Sequence, residues 1–150
     1  MVEVILVPTD GSDHARKAVT LAADLAQKYG ARMIALHVMT SSWNDRIPEE
    51  LRSYAKGEHI QATEREILES VGQQILRSAE TLAREEGLER VETLLEVGDV
   101  TATVLAVART QNVDLIVMGS RGLGDMKGLL QGSVSHKVNA HSSCSCITVK

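Results

Sequence analysis

The sequence predicts an α/β protein: an open five-stranded parallel sheet with helices on both faces, for which the order 3-2-1-4-5 is adopted. Three observations lead there. Short apolar runs alternate with stretches of helical periodicity along the 150 residues, and such alternation builds parallel strands joined by crossover helices. The runs are apolar throughout rather than at every second residue, as in strands covered on both faces. Capping residues and glycines stand at the junctions, where helices start and stop.

The first run, Val2 to Val7, is closed by Pro8. "PTDGS" follows, with Ser12 as an N-cap and Asp13 in the first helical turn. Ala15, Ala18, Val19, Ala22, Leu25, Ala26 and Tyr29 keep helical spacing, and Gly30 ends that helix. "ARMIALHVM" is the second strand. Thr40 to Gly57 is polar and irregular ("TSSWNDRIPEELRSYAKG"); it suits a lid or partner surface, and equally a helical extension packed on the sheet edge. A long helix from about Glu58 to Glu86 has Ile60, Ile67, Val71, Ile75, Ala79 and Leu82 as its apolar face, and Gly87 closes it. "RVETLLEV" is the third strand. Gly98 turns the chain, and Asp99 caps a helix carrying Val104, Val107 and Ala108. "VDLIVMG" is the fourth strand; a short helix from Ser133 to about His141 and the strand "CSCITVK" complete the chain. With no internal repeat or linker, residues 1–150 read as one domain.

Composition narrows the function. The net charge of −4 gives no general basic footprint for nucleic acid, and with no Phe, one Trp and two Tyr there are no stacking platforms. No run approaches the ~18 apolar residues of a membrane span. The N-terminus goes straight into a strand-like run without a signal-peptide pattern. Cys144 and Cys146 are too close in sequence for an easy bridge, in keeping with a reducing compartment. The chain therefore reads as cytoplasmic, with neither nucleic acid nor membrane as a partner.

The most informative stretch is "MGSRGLGDMKGLLQGSVSHKV", where five glycines fall within fourteen residues, directly after the fourth strand. Ligands of open parallel sheets sit beyond the carboxyl ends of the strands, where strand order reverses. In the order 3-2-1-4-5 the exits of the first strand ("VPTDGS") and the fourth ("MGSRG") lie side by side at that reversal. Gly119 and Gly122 would let backbone approach a ligand. Gly132 and Ser133 open the last helix, whose first-turn N–H groups and positive dipole end suit an anion. Val134, Ser135 and His136 add no carboxylate there, Ser133 and Ser135 offer hydroxyls, and Arg121 and Lys127 add positive charge. On glycine count alone the loop could equally be a flexible crossover before a capped helix. It is neither a Walker P-loop nor the dinucleotide fingerprint: no Gly-Lys-Ser/Thr closes it, and "GLGDMKG" has the wrong spacing.

The sequence resembles the universal stress proteins from end to end: "ILVPTDGS" on the first strand, "ALHV" on the second, "DLIVMGSRG" on the fourth and "GSVSHKV" opening the last helix. It carries the Gly-x2-Gly-x9-Gly-Ser/Thr pattern of the family's nucleotide-binding members as Gly119, Gly122, Gly132 and Ser133. The resemblance implies a stress-response or regulatory protein that binds ATP, or ADP or AMP, with Mg2+ held mainly by the phosphates. By the same resemblance Pro8, Thr9 and Asp10 would flank the adenosine, and Val38 would contact adenine through its main chain. Gly119, Ser120, Arg121, Gly122 and Gly124 would wrap ribose and phosphates; Gly132, Ser133, Val134 and Ser135 would hold the phosphates. Asp10 suits ribose hydroxyls as an acceptor, or else is a turn or cap residue. The resemblance also implies a homodimer paired through the strand at 144–149, although Ser145 stands where family members commonly have Pro.

The remaining constellations are weaker. His141, Cys144 and Cys146 do not make a closed zinc set, so no metal-ligating residues are assigned. His14, His37, His59 and His136 are scattered and suggest no catalytic set; His37 reads as a core or rim residue of its strand. No general base is evident, so hydrolysis, if any, should be slow, and nucleotide state would act through the glycine loop on an unidentified protein partner. The alternatives are an interaction module that binds no nucleotide, or a slow ATPase or phosphotransferase.

Overall fold

The computed structural model describes residues 1–40, 60–122 and 132–150, with side chains from residue 64 onward in the helix that begins at Ile60. Along the chain run β1 (Val4–Pro8), α1 (Asp13–Tyr29), β2 (Arg32–Met39), α2 (Ile60–Glu85), β3 (Val91–Val97), α3 (Val100–Thr110), β4 (Leu115–Gly119), α4 (Ser133–His141) and β5 (Ser145–Val149). The strands form one sheet in the order β3-β2-β1-β4-β5, and each neighbouring pair is parallel. This is the predicted topology. The chain steps outward from β1 to β3, then returns to lay β4 on the other side of β1.

The side-chain alternation of the strands feeds two cores. Ile5 and Val7 join Met33, Ala35 and Val117 on the face covered by α1 and α2, where Ala18, Ala22, Ala26, Leu76 and Ala83 pack on them. Val4 and Leu6 join Ile34, Leu36 and Ile116 on the opposite face, against Val104, Val107 and Val138 of α3 and α4. With each large aliphatic side chain contributing roughly 1.5–3 kcal/mol on burial, these two layers hold the central strands rigid. The small alanines of α1 bring that helix close to the sheet.

The helix boundaries follow their capping residues. Ser12 Oγ accepts the Ala15 N–H at 3.3 Å at the start of α1, and Gly30 ends it at φ 67°, in the left-handed region that favours glycine. Asp99 caps α3 by accepting the Ala102 N–H at 2.8 Å.

Two expectations are corrected. Of the expected apolar face of α2, Ala79 is buried and Leu82 packs on the core, but Val71 is 37% exposed; the side chain of Ile60 lies outside the described residues. Gly72, Leu76, Ala79 and Ala83 are the buried positions, and Ile67, Ile75 and Leu82 lie at the margin. Val71 and Leu76 both stand at helical spacing, and periodicity could not tell which of them met the sheet. Nor are all strands buried on both faces. β1 is buried throughout, but β3 and β5, at the two edges, alternate or are half-exposed, with Val97 67% exposed. Among the described residues no helix is long and apolar enough to cross a membrane.

Candidate functional site

At the reversal point, β1 and β4 pair through Ile5↔Leu115 and Leu6↔Ile116, so their exits open side by side. A cavity of about 350 Å³ lies beyond them. Its lining includes Pro8, Thr9 and Asp10 from the β1 exit, Val38 from β2, Gly119, Ser120, Arg121 and Gly122 from the β4 exit, and Gly132, Ser133, Val134 and Ser135 from the start of α4. Residues as far apart in sequence as Pro8 and Ser135 thus share one wall system. Gly124 lies outside the described residues, as do Lys127 and the segment 41–59. Ala15, Leu36, His37, Thr40, Val100 and Met118 also line the cavity; sequence reading did not select them.

The β1 exit is a tight, internally bonded turn. The Thr9 N–H donates to the Leu36 carbonyl at 2.8 Å, Thr9 Oγ1 accepts the Gly11 N–H at 3.3 Å, and Asp10 Oδ1 accepts the Ser12 N–H at 2.9 Å. Gly11 takes φ 78°, which lets the chain reverse into α1. Because Leu36 faces its main chain toward β1, Val38, two residues on, faces its main chain the same way. There β1 has already ended, since the last ladder pair is Pro8↔Leu36.

The start of α4 is built differently. Its N-cap is Gly132, at φ −70° and ψ 154°, with no side-chain cap and no acidic residue in the first turn. The Gly132 N–H donates to the Ser120 carbonyl, and the first helical bond runs from the His136 N–H to the Gly132 carbonyl at 3.1 Å. Between them, the N–H groups of Ser133, Val134 and Ser135 have no protein acceptor among the described residues. The Ser135 hydroxyl is occupied, bonding the Ser120 and Gly132 carbonyls at 3.0 Å each.

Ser120 ties three elements together. Its N–H donates to the Val149 carbonyl at 2.7 Å at the end of β5, its carbonyl holds α4, and its hydroxyl lies 3.0 Å from His14 Nδ1 on α1. It is 2% exposed and lines the cavity. Gly119 has its own reason to lack a side chain. A Cβ there would stand 2.8 Å from the Ala15 nitrogen and 2.9 Å from the His14 carbonyl carbon, so α1 needs the bare backbone, whatever else approaches it.

His37 is 2% exposed, with Nδ1 2.8 Å from the Thr9 carbonyl. A carbonyl only accepts, so Nδ1 carries the proton. Burial pushes its pKa below the ordinary 6.5, against smaller upward pulls from the Thr9 hydrogen bond and the Asp10 charge. A lone ionisable residue at the carboxyl end of an apolar strand was the available signal for it. For His14 the sequence held none. Among the described residues no group of three or more His, Cys, Asp or Glu is arranged to hold a metal ion. Cys144 and Cys146 are free, half-buried thiols, packed at the rim of the α3/α4 core.

Comparison with known proteins agrees with this architecture. The family model described as "Universal stress protein family" matches residues 1–150. Universal stress protein YxiE of Bacillus subtilis is 34% identical over 156 residues, covering 100% of both chains. A universal stress protein of Thermus aquaticus is 34% identical over 154 residues, again covering 100% of both. Among solved structures, universal stress protein UspA from Lactobacillus plantarum superposes with a TM-score of 0.80 at 24% identity, covering 99% of this chain and 98% of its own. A universal stress protein solved in complex with cAMP superposes at 0.71 with 25% identity, covering 99% and 96%. The chain belongs to the universal stress protein family.

Proposed function

We propose that this chain is a stress-response regulator that binds an adenine nucleotide, ATP or else ADP or AMP, in the cavity between the β1 and β4 exits. The observation that carries the reading is the start of α4: three backbone N–H groups without protein acceptors among the described residues, uncapped by any side chain, bordering a cavity at the sheet's reversal point. Such a helix start favours an anion through its N–H groups and its dipole. The family member solved with cAMP, itself an adenine nucleotide, supports the same ligand class here.

In this reading Gly132, Ser133, Val134 and Ser135 hold the phosphates, and Arg121 adds charge. Gly119, Ser120, Gly122 and Gly124 follow the ribose and phosphates. Asp10 accepts from the ribose hydroxyls, beside Pro8 and Thr9, and Val38 meets adenine through its main chain. Mg2+ is carried by phosphates and water. Among the described residues we find no general base aimed at a terminal phosphate, His37 Nδ1 being engaged with the Thr9 carbonyl; hydrolysis is accordingly slow at most. Nucleotide state then acts by biasing the β4–α4 connection and, through it, a partner surface.

We also read residues 1–150 as one domain, cytoplasmic, and as a homodimer paired along β5. That strand is a sheet edge, and an edge strand offers a row of backbone groups for pairing.

Calorimetric titration with ATP, ADP, AMP and cAMP, with and without Mg2+, tests the reading. Saturable one-site binding is expected. No heat and no protection at millimolar nucleotide would overturn it, and release of phosphate over hours would move it to a slow ATPase.

A further inference from the structure

The ring of His37 is clamped from two sides. On one side Nδ1 holds the Thr9 carbonyl at 2.8 Å. On the other the backbone of α2 lies directly against it: a Cβ on Gly72 would stand 3.1 Å from His37 Cδ2 and 2.7 Å from Leu95 Cδ1. Position 72 is thus open only to glycine without displacement, and the imidazole has little room to turn.

This clamp acts at one particular point of the chain. Pro8↔Leu36 is the last β1–β2 ladder pair. One residue later the Thr9 N–H is still bonded to Leu36, while the Thr9 carbonyl is met by a side chain, that of His37. The next residue is Asp10, whose carboxylate organises the turn through the Ser12 N–H. In a parallel ladder the Thr9 carbonyl would be the natural acceptor for the next β2 amide on that side, Val38.

We propose that His37 is a positioning residue of the site: by holding the Thr9 carbonyl it ends the β1–β2 ladder, so that Asp10 and the Val38 main chain both face the cavity. The inference rests on the proposed nucleotide site for its functional consequence, but the geometry it invokes exists without nucleotide. Burial of the ring, which keeps it neutral, agrees with this arrangement.

The test compares His37→Leu, which keeps bulk but loses the donor, with His37→Asn, whose Nδ2 falls near the place of Nδ1. ATP affinity is expected to drop about tenfold in His37→Leu, the weight of one buried hydrogen bond. It should return to within about threefold of the parent in His37→Asn. A pure packing role would make Asn the worse of the two, so that order overturns the proposal, as does parental affinity in a folded His37→Leu protein. Amide exchange at Gly11 and Ser12, measured without nucleotide, is the second readout: faster in His37→Leu and near parental in His37→Asn. If the parent bound no ATP, the nucleotide reading would fall, and the exchange data alone would decide this one. Equal exchange in all three proteins would overturn it.

Discussion

The first turns of α1 and α4 stand on either side of the same crevice, and they are finished in opposite ways. α1 is closed by its own sequence: Ser12 accepts the Ala15 N–H, Asp13 places a carboxylate at the positive end, and the Ser12 hydroxyl also reaches the Arg121 carbonyl at 3.5 Å. α4 begins on a glycine with no capping side chain and no carboxylate in its first turn. A helix start leaves its first amides unsatisfied unless something accepts from them. α1 meets that requirement internally, as does α3 through Asp99. α4 leaves the N–H groups of Ser133, Val134 and Ser135 without a protein acceptor among the described residues. The difference between a structural and a receptive helix start here amounts to two or three side chains.

The strongest way to break this comparison is to make α4 resemble α3. Gly132→Asp supplies a cap and a negative charge, and should weaken ATP at least about a hundredfold while leaving Tm unchanged or slightly raised. Calorimetry alongside thermal unfolding checks both, and undiminished affinity in a folded protein would remove α4 from the site. Next is Gly119→Ala, which drives a methyl into the backbone of α1. A loss of about 2 kcal/mol in denaturant unfolding is expected, whereas a glycine kept only for ligand approach would cost nothing without ligand. Ser12→Ala removes the α1 cap and should cost about 1 kcal/mol, with a smaller effect on affinity than Gly132→Asp.

The pH profile follows from His37. Its folded pKa lies below 6.5 because burial penalises the charged ring. The unfolded chain therefore binds the proton more readily. This contribution to stability is whole above pH 6.5 and is lost as pH falls through the folded value. His37→Asn should flatten that part of a Tm-against-pH curve. The smallest effect is expected at Val71, an exposed position of α2: Val71→Ser should change stability by no more than about 0.5 kcal/mol.

Much of the cavity's lining was legible before any coordinates. "PTDGS" could be placed at a helix start by its capping chemistry and "GSVSHKV" by its glycine, and the parallel topology put the two strand exits together. Two structural roles were not legible. Spacing cannot show that α1 presses on Gly119, and nothing local reveals that the Ser120 hydroxyl meets His14, 106 residues away. α2 gave the same lesson: Val71 and Leu76 both repeat at helical intervals, and only the sheet beneath α2 selects between them.

By itself, then, the sequence determined the alternation of strands and helices, the helix limits and the bare start of α4, because each depends on local chemistry: apolar runs, caps, and the absence of a side chain. What fills the space over Gly119, which face of α2 is buried and which ring holds the Thr9 carbonyl were decided only by tertiary structure. Those are contacts between residues far apart in the chain, and close packing allows a single arrangement of them that no short window contains.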